Sequence, residues 1–317
     1  VTFSPRKQVW DNPLNHDLMT YDQIFEPVVS KDRMFLTFND SDKLVALDVK
    51  TGKTLWTFYA EAPLRLAPAV WKDKVFFTCD DGRLYCINSK TGKAEWIFNG
   101  APYTRKALGN TRIISAWPAR GGVVVDEDKV YFSTSIWPFM GIYIYCINPR
   151  NGEQIWLNSG SGLNYQKQPH GAPSFAGVAP QGTLAVSGNH LIIPGGRSLP
   201  AIYDKRNGEF KYFNHTGKGQ GGSFIAADKN NYFVHTRGDG VTAKSLKSLG
   251  KSIKIKLNEP VLDKELIYSW NAGKLSIYEN YKSIQSVSLA QCNELIKSGS
   301  SLYAATTGGI SIHDAKS

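Results

Sequence analysis

The chain has 317 residues, 42% of them hydrophobic, 12% aromatic and 20% charged, and lysine plus arginine exceed aspartate plus glutamate by ten (37 against 27). That composition excludes a disordered chain, and no apolar run reaches the ~18 residues of a membrane-spanning helix, so no transmembrane segment is expected. The positive excess suits a polyanionic partner as well as ordinary solubility.

The sequence opens at Val1 with neither an initiator Met nor a signal peptide, which suggests a processed or trimmed product; a periplasmic or extracellular location is expected separately. Lys7-Gln8-Val9-Trp10 follows, a short Lys-x-x-Trp run without a neighbour of its own. The same ending closes a longer frame, Ala46-Leu47-Asp48-Val49-Lys50-Thr51-Gly52-Lys53-Thr54-Leu55-Trp56, repeated forty residues later as Cys86 to Trp96. Cys146 to Trp156 keeps Asn148, Gly152 and Trp156 in register, and Ile202 to Tyr212 keeps Asp204 and Gly208.

Each copy is preceded by an alternating run closed by a turn, such as Lys74 to Cys79 before Asp80-Asp81-Gly82. These are hairpin signals, and glycine at the Thr-Gly-Lys turn suits the positive φ that such turns require. Four strands per unit, at about forty residues per unit and with almost no helical periodicity, predict β-propeller blades. The blades fall near 26–58, 67–98, 121–158, 182–214, 222–256 and 260–289, and three further strands near 293–298, 301–306 and 309–314 begin a seventh. The Val9-Trp10 run is expected to complete that last blade, giving a seven-bladed, all-β propeller in a single domain, 1–317, with no exposed closing edge. An eighth blade would have to lie in 101–120 or 157–181, where no paired alternating runs are evident.

The four cysteines have no C-x-x-C spacing, and Cys86 and Cys146 occupy the frame position of Ala46, so buried free thiols are expected. No metal site is expected from the histidines, which show no ligand spacing.

The frame resembles the tryptophan-containing repeat of the PQQ-like β-propeller family, which includes quinoprotein dehydrogenases, outer-membrane assembly lipoproteins and uncharacterised bacterial repeat proteins. The resemblance implies the propeller fold and an envelope or exported location. It also raises PQQ as a cofactor; quinoprotein dehydrogenases carry a vicinal cysteine pair and a calcium site built on carboxylates. This chain has no adjacent cysteines, and no cofactor is expected.

The spacing of the frame glycines grows from forty residues (Gly52 to Gly92) to sixty (to Gly152) and fifty-six (to Gly208). The additions lie at 99–120 and 157–181, between blades, and in the middle hairpins at Ser135 to Gly141 and Gly195 to Pro200. In a propeller these connections share one face, so growth confined to them points to a functional face. No acidic residue lies between Glu95 and Asp126 or between Glu153 and Asp204, whereas Arg105, Lys106, Arg112, Arg120, Lys167 and Arg197 do. Tyr103, Trp117, Trp137, Phe139, Tyr165, Phe175 and His170 lie among them, and His215 and Lys218 follow in a glycine-rich loop.

Unpaired cations beside aromatics suit an anionic small molecule or an acidic polysaccharide, since guanidinium forks fit carboxylates and rings stack on sugars. Arg105, Lys106, Arg112, Trp117, Trp137, Lys167, His215 and Lys218 are the expected binding residues. An alternative is a polysaccharide lyase acting on uronic-acid-containing glycans, with Arg197 or Arg120 neutralising the carboxylate and His170 and Tyr165 moving protons. An envelope assembly scaffold holding a protein partner and a PQQ-dependent oxidoreductase complete the alternatives. No nucleic-acid partner is expected, because no recognition helix or aromatic RNA-binding motif is present.

Overall fold

In the computed structural model the described residues are 27–109, 112–167, 171–195, 198–214, 221–222, 225–236, 240–249, 251–258, 260–292, 294–306 and 309–315. They divide into two compact units, Val1–Lys218 and Gly219–Ser317. The fold class is that of a seven-bladed, all-β propeller, with four blade sheets in the first unit and three in the second.

Blade 1 pairs Val28–Ser30, Arg33–Phe38, Lys43–Asp48 and Thr54–Tyr59, and blade 2 pairs Ala69–Trp71, Lys74–Thr78, Arg83–Asn88 and Ala94–Asn99, each in simple antiparallel order. Blade 3 spans Gly121–Asp126 to Gln154–Asn158 and blade 4 spans Ala185–Ser187 to Phe210–Tyr212. In the second unit, blade 5 runs from Ala226–Ala227 to Ser252–Leu257 and blade 6 from Val261–Asp263 to Lys282–Ser288. Three strands are described in the seventh sheet, Glu294–Ser298, Ser301–Thr306 and Gly309–Asp314. The expected closing strand at Val9-Trp10 lies outside the described residues.

The middle strands of a blade are buried on both faces, as in Lys74–Thr78 and Arg83–Asn88, because a neighbouring sheet covers each side. Outermost strands alternate: in Ala94–Asn99, Trp96 and Phe98 turn inward while Glu95 and Ile97 face water. That alternation is the period-two signature of a sheet covered on one side only.

The recurring frame is explained by the joints between consecutive blades of the first unit. The Trp56 ring lies over Gly92 of blade 2, where an added Cβ would sit 2.7 Å from the indole, and its N–H donates to the Ser89 carbonyl at 3.0 Å. Trp96 lies likewise over Gly152 with a bond to the Pro149 carbonyl, and Trp156 over Gly208 with a bond to Lys205. These glycines combine positive φ with a ring against the Cα, so two constraints select glycine at one position. The acidic or amide residue of the frame closes the same turn: Asp48 accepts from the Thr51 N–H at 2.7 Å and Asn88 from the Thr91 N–H at 3.1 Å.

All four cysteines are buried free thiols, as the frame position of two of them implied. Burial pushes the thiols of Cys86 and Cys146 up to about 12.

Two features depart from the sequence reading. Each long insertion contains a hairpin, Lys106–Gly109 with Arg112–Ser115 and Tyr165–Lys167 with Pro173–Phe175, in segments expected to hold no paired runs. Strands of three or four residues are too short to establish a period against their surroundings. Blade 3 also gains a fifth, parallel strand, Gly182–Thr183, laid against Gly121 and Gly122. There a Cβ at Gly122 would sit 3.0 Å from the Thr183 Cα, so glycine at that position lets the two backbones approach.

Candidate functional site

In the first unit, the connections between blades and the middle hairpin turns come together on one face. Asp80, in the middle turn of blade 2, takes a backbone bond from its own N–H to Pro63 and gives its carbonyl to the Ser115 N–H. The Ser135 N–H donates to Pro118, the Trp117 indole N–H donates to the Met140 carbonyl at 2.9 Å, and the Gln181 N–H donates to Pro194. On the opposite face the first and last hairpin turns meet, as in the bonds Val49 to Asp32 and Ser89 to Asp73. All four expanded segments therefore belong to the first face.

The cations of that face are less free than the sequence suggested. Arg120 grips Asp80 with two parallel bonds of 3.0 Å, and Arg65 reaches the same carboxylate at 2.7 Å from the other side. Asp80 is 1% exposed. Burial would raise its carboxyl, but the guanidinium groups of Arg120 and Arg65 outweigh that and hold it below the ordinary value. Arg112, at the turn of the first insertion hairpin, is ion-paired with Asp42 and bonded to the Asp40 carbonyl, both in the middle turn of blade 1. Burial raises Asp42, and Arg112 offsets it only in part.

This corrects the expectation that the six loop cations face no carboxylate. The loops hold no acid along the chain, but adjacent middle turns supply acids in space. The missed residues, Asp42 and Asp80, were open to detection: propeller topology already puts the Asn39–Asp42 and Asp80–Gly82 turns on the insertion face. Arg120 and Arg112 secure the loops to the blades. Trp117 is also a packing residue, 7% exposed, with its ring 5.6 Å from Tyr103.

Arg105, Lys106 and Lys167 are exposed, and none of the three makes an ion pair among the described residues. Tyr165 stands across from Phe175 on the second hairpin with ring centroids 5.2 Å apart, and Trp137 lies 6.0 Å from Phe139; all four are largely exposed. Leu108 and Ile113, which the sequence reading did not single out, are cross-strand neighbours on the first hairpin and are 79% and 65% exposed. Their signal was present in the alternation of Arg112-Ile113-Ile114-Ser115, where Ile114 turns inward and Ile113 outward. His170, Arg197, His215 and Lys218 lie outside the described residues.

A cleft of about 100 Å³ opens beside the first hairpin, lined by Glu61, Asp81, Arg83, Tyr103, Arg105 and Lys106 among others. It carries both signs of charge, and Asp81 accepts a 2.6 Å bond from the Tyr85 hydroxyl. Among the described residues no three His, Cys, Asp or Glu side chains stand together as a metal site. PQQ is a tricarboxylate, and two guanidiniums that could meet it, those of Arg112 and Arg120, are held by Asp42 and Asp80.

Comparison with known proteins agrees with this architecture. A family model described as outer membrane protein assembly factor BamB matches residues 2–255. The dehydrogenase subunit of a quinone-type alcohol dehydrogenase of Gluconobacter oxydans (strain 621H) is 37% identical over 81 residues, 22% of this chain and 11% of that protein. The tetrathionate hydrolase of Acidithiobacillus ferrooxidans is 27% identical over 130 residues, 41% of this chain and 22% of that one. These matches thus cover less than a quarter of either relative. Among solved structures, BamB of Moraxella catarrhalis superposes with a TM-score of 0.55 at 16% identity, covering 89% of this chain and 78% of that one. The quinohemoprotein alcohol dehydrogenase of Comamonas testosteroni gives 0.58 at 15%, covering 91% and 65%. At these identities the structures speak for the fold alone.

Proposed function

Taking as premise that this chain belongs to the family of outer membrane protein assembly factor BamB, we propose that it is a docking propeller that holds an anionic partner on the insertion face of blades 2 to 4. One observation carries the reading: that face presents large apolar side chains to solvent around Arg105, Lys106 and Lys167, which have no ion-pair partner among the described residues, while Arg112 and Arg120 anchor the loops. Exposed aromatics and aliphatics supply contact area, and the free cations select the sign of the partner. An exported or envelope location accords with the family.

The test is salt-dependent retention on carboxylated and sulfated matrices. The parent chain is expected to be retained, and a variant carrying Arg105→Gln, Lys106→Gln and Lys167→Gln to elute at clearly lower salt. Lys53→Gln with Lys93→Gln, on the opposite face, should change little. Equal elution of the two variants would refute the reading.

The cleft beside the first hairpin favours a second reading, capture of a single acidic sugar unit with its carboxylate on Arg105 and Lys106. Calorimetric titration with uronate oligomers tests it; no heat at any accessible concentration removes it. Lyase chemistry on such a chain draws less support, because Arg120 is held by Asp80.

A further inference from the structure

We infer that the anionic partner of this face is the surface of a phospholipid bilayer rich in acidic headgroups, an inference that rests on the docking reading above. The first insertion hairpin is fastened from beneath. Arg112 is paired with Asp42, Ile114 is buried, and the Ser115 N–H is bonded to the Asp80 carbonyl. Its outward side is then fixed by strand alternation: Leu108 and Ile113 stand side by side, and Lys106 lies two residues from Leu108 on the same side, about 7 Å away.

Around this hairpin the same chemistry recurs. The turn of blade 3 exposes Trp137 and Phe139, and the second insertion exposes Leu163, Tyr165 and Phe175 beside Lys167. Along the chain no aspartate or glutamate occurs at 96–125 or 154–203, and in space Glu61 and Asp81 line the cleft beside Arg105 and Lys106. An acidic protein partner could also meet three cations, but protein interfaces are depleted in lysine, and two of the three free cations are lysines. A bilayer surface matches the full set. Aliphatic side chains enter the acyl boundary, tryptophan and tyrosine sit at headgroup depth, and lysines extend their stems over the apolar layer to reach phosphate.

Binding to phosphatidylcholine vesicles with and without phosphatidylglycerol, measured by co-sedimentation, tests the inference. Each cation near an acidic bilayer contributes about fivefold to partitioning, so Arg105→Gln, Lys106→Gln and Lys167→Gln together should lower binding roughly 100-fold. Leu108→Asn with Ile113→Asn should lower it about tenfold or more. The native cysteines are buried, so a Leu108→Cys variant accepts a polarity-sensitive label at one exposed place. Its emission should shift to the blue with acidic vesicles and stay unchanged with neutral ones. Lys53→Gln with Lys93→Gln serves as the folded control and should bind like the parent.

Absence of vesicle binding, or binding that neither patch variant weakens, overturns the inference. If vesicles are ignored while retention on anionic matrices persists and depends on the same three cations, the bilayer is excluded and the docking reading stands. If retention is lost as well, both fall. Capture of a soluble acidic protein through Leu108 and Ile113, without vesicle binding, assigns the face to a protein instead.

Discussion

Replacing Asp80 with alanine removes the one carboxylate shared by Arg65 and Arg120, whose side chains are 9% and 21% exposed. The two guanidiniums would then face each other across the vacated turn, having lost the carboxylate they share. Breaking a buried pair in this way costs about 3–5 kcal/mol, most of it for stranding charge away from water. With a urea m-value of roughly 3 kcal/mol/M, the midpoint should fall by about 1–1.7 M. Arg120→Ala should cost less, about 1–3 kcal/mol, because Arg65 still neutralises Asp80. The sign with pH follows from the carboxyl being held below its ordinary value: its contribution is fully present above pH ~3.9 and is lost as pH falls through the folded value. Equilibrium urea unfolding by tryptophan fluorescence at pH 7 and below pH 4 measures both. An Asp80→Ala midpoint within about 0.3 M of the parent at pH 7, or a deficit unchanged on acidification, would refute the argument.

Asp42 behaves oppositely, since burial raises its carboxyl despite Arg112; its contribution grows as pH falls through the folded value toward the ordinary one. Asp42→Asn should therefore cost under about 1 kcal/mol at pH 7 by urea unfolding, while hydrogen exchange at residues 106–115 quickens. Gly152→Ala places a methyl group 2.9 Å from the Trp96 ring at a positive φ and should destabilise by about 1–3 kcal/mol. In a double-mutant cycle Trp96→Ala should make that substitution markedly cheaper, because the collision disappears. Cys86 and Cys146, with thiols raised to about 12 by burial, should resist iodoacetamide at pH 8 and react only after denaturant is added, as mass spectrometry can show.

The blades were legible because two independent demands meet at the copies around Gly92, Gly152 and Gly208: an Asx-closed turn, and a glycine beneath the preceding tryptophan. The later copies lost the tryptophan, with Lys254 and Val287 in its place, yet their strands remained readable from alternation alone. The insertion face was legible in the drift of the glycine spacing. Its electrostatics were not, because charge was counted along each loop, whereas Arg112 finds Asp42 and Arg120 finds Asp80 through space. The first hairpin was missed for a related reason: its short strands are held to neighbouring turns, as by Ser115 to Asp80 and the Arg112 guanidinium to the Asp40 carbonyl, more than by a pattern of their own.

The bond between Arg112 and Asp42 joins positions seventy residues apart. Contacts of such separation form late, because the intervening chain must first lose its freedom. Blades 1 and 2 can assemble from local hairpins, but the first insertion has nowhere to fasten until both are in place. The outward display of Leu108 and Ile113 should therefore arise after the blades beneath it. In refolding experiments a label at Leu108 should report a slower phase than Trp56 or Trp96. Until that phase ends, the chain would hold folded blades without a finished docking surface, so premature engagement of a partner is disfavoured by the order of assembly itself.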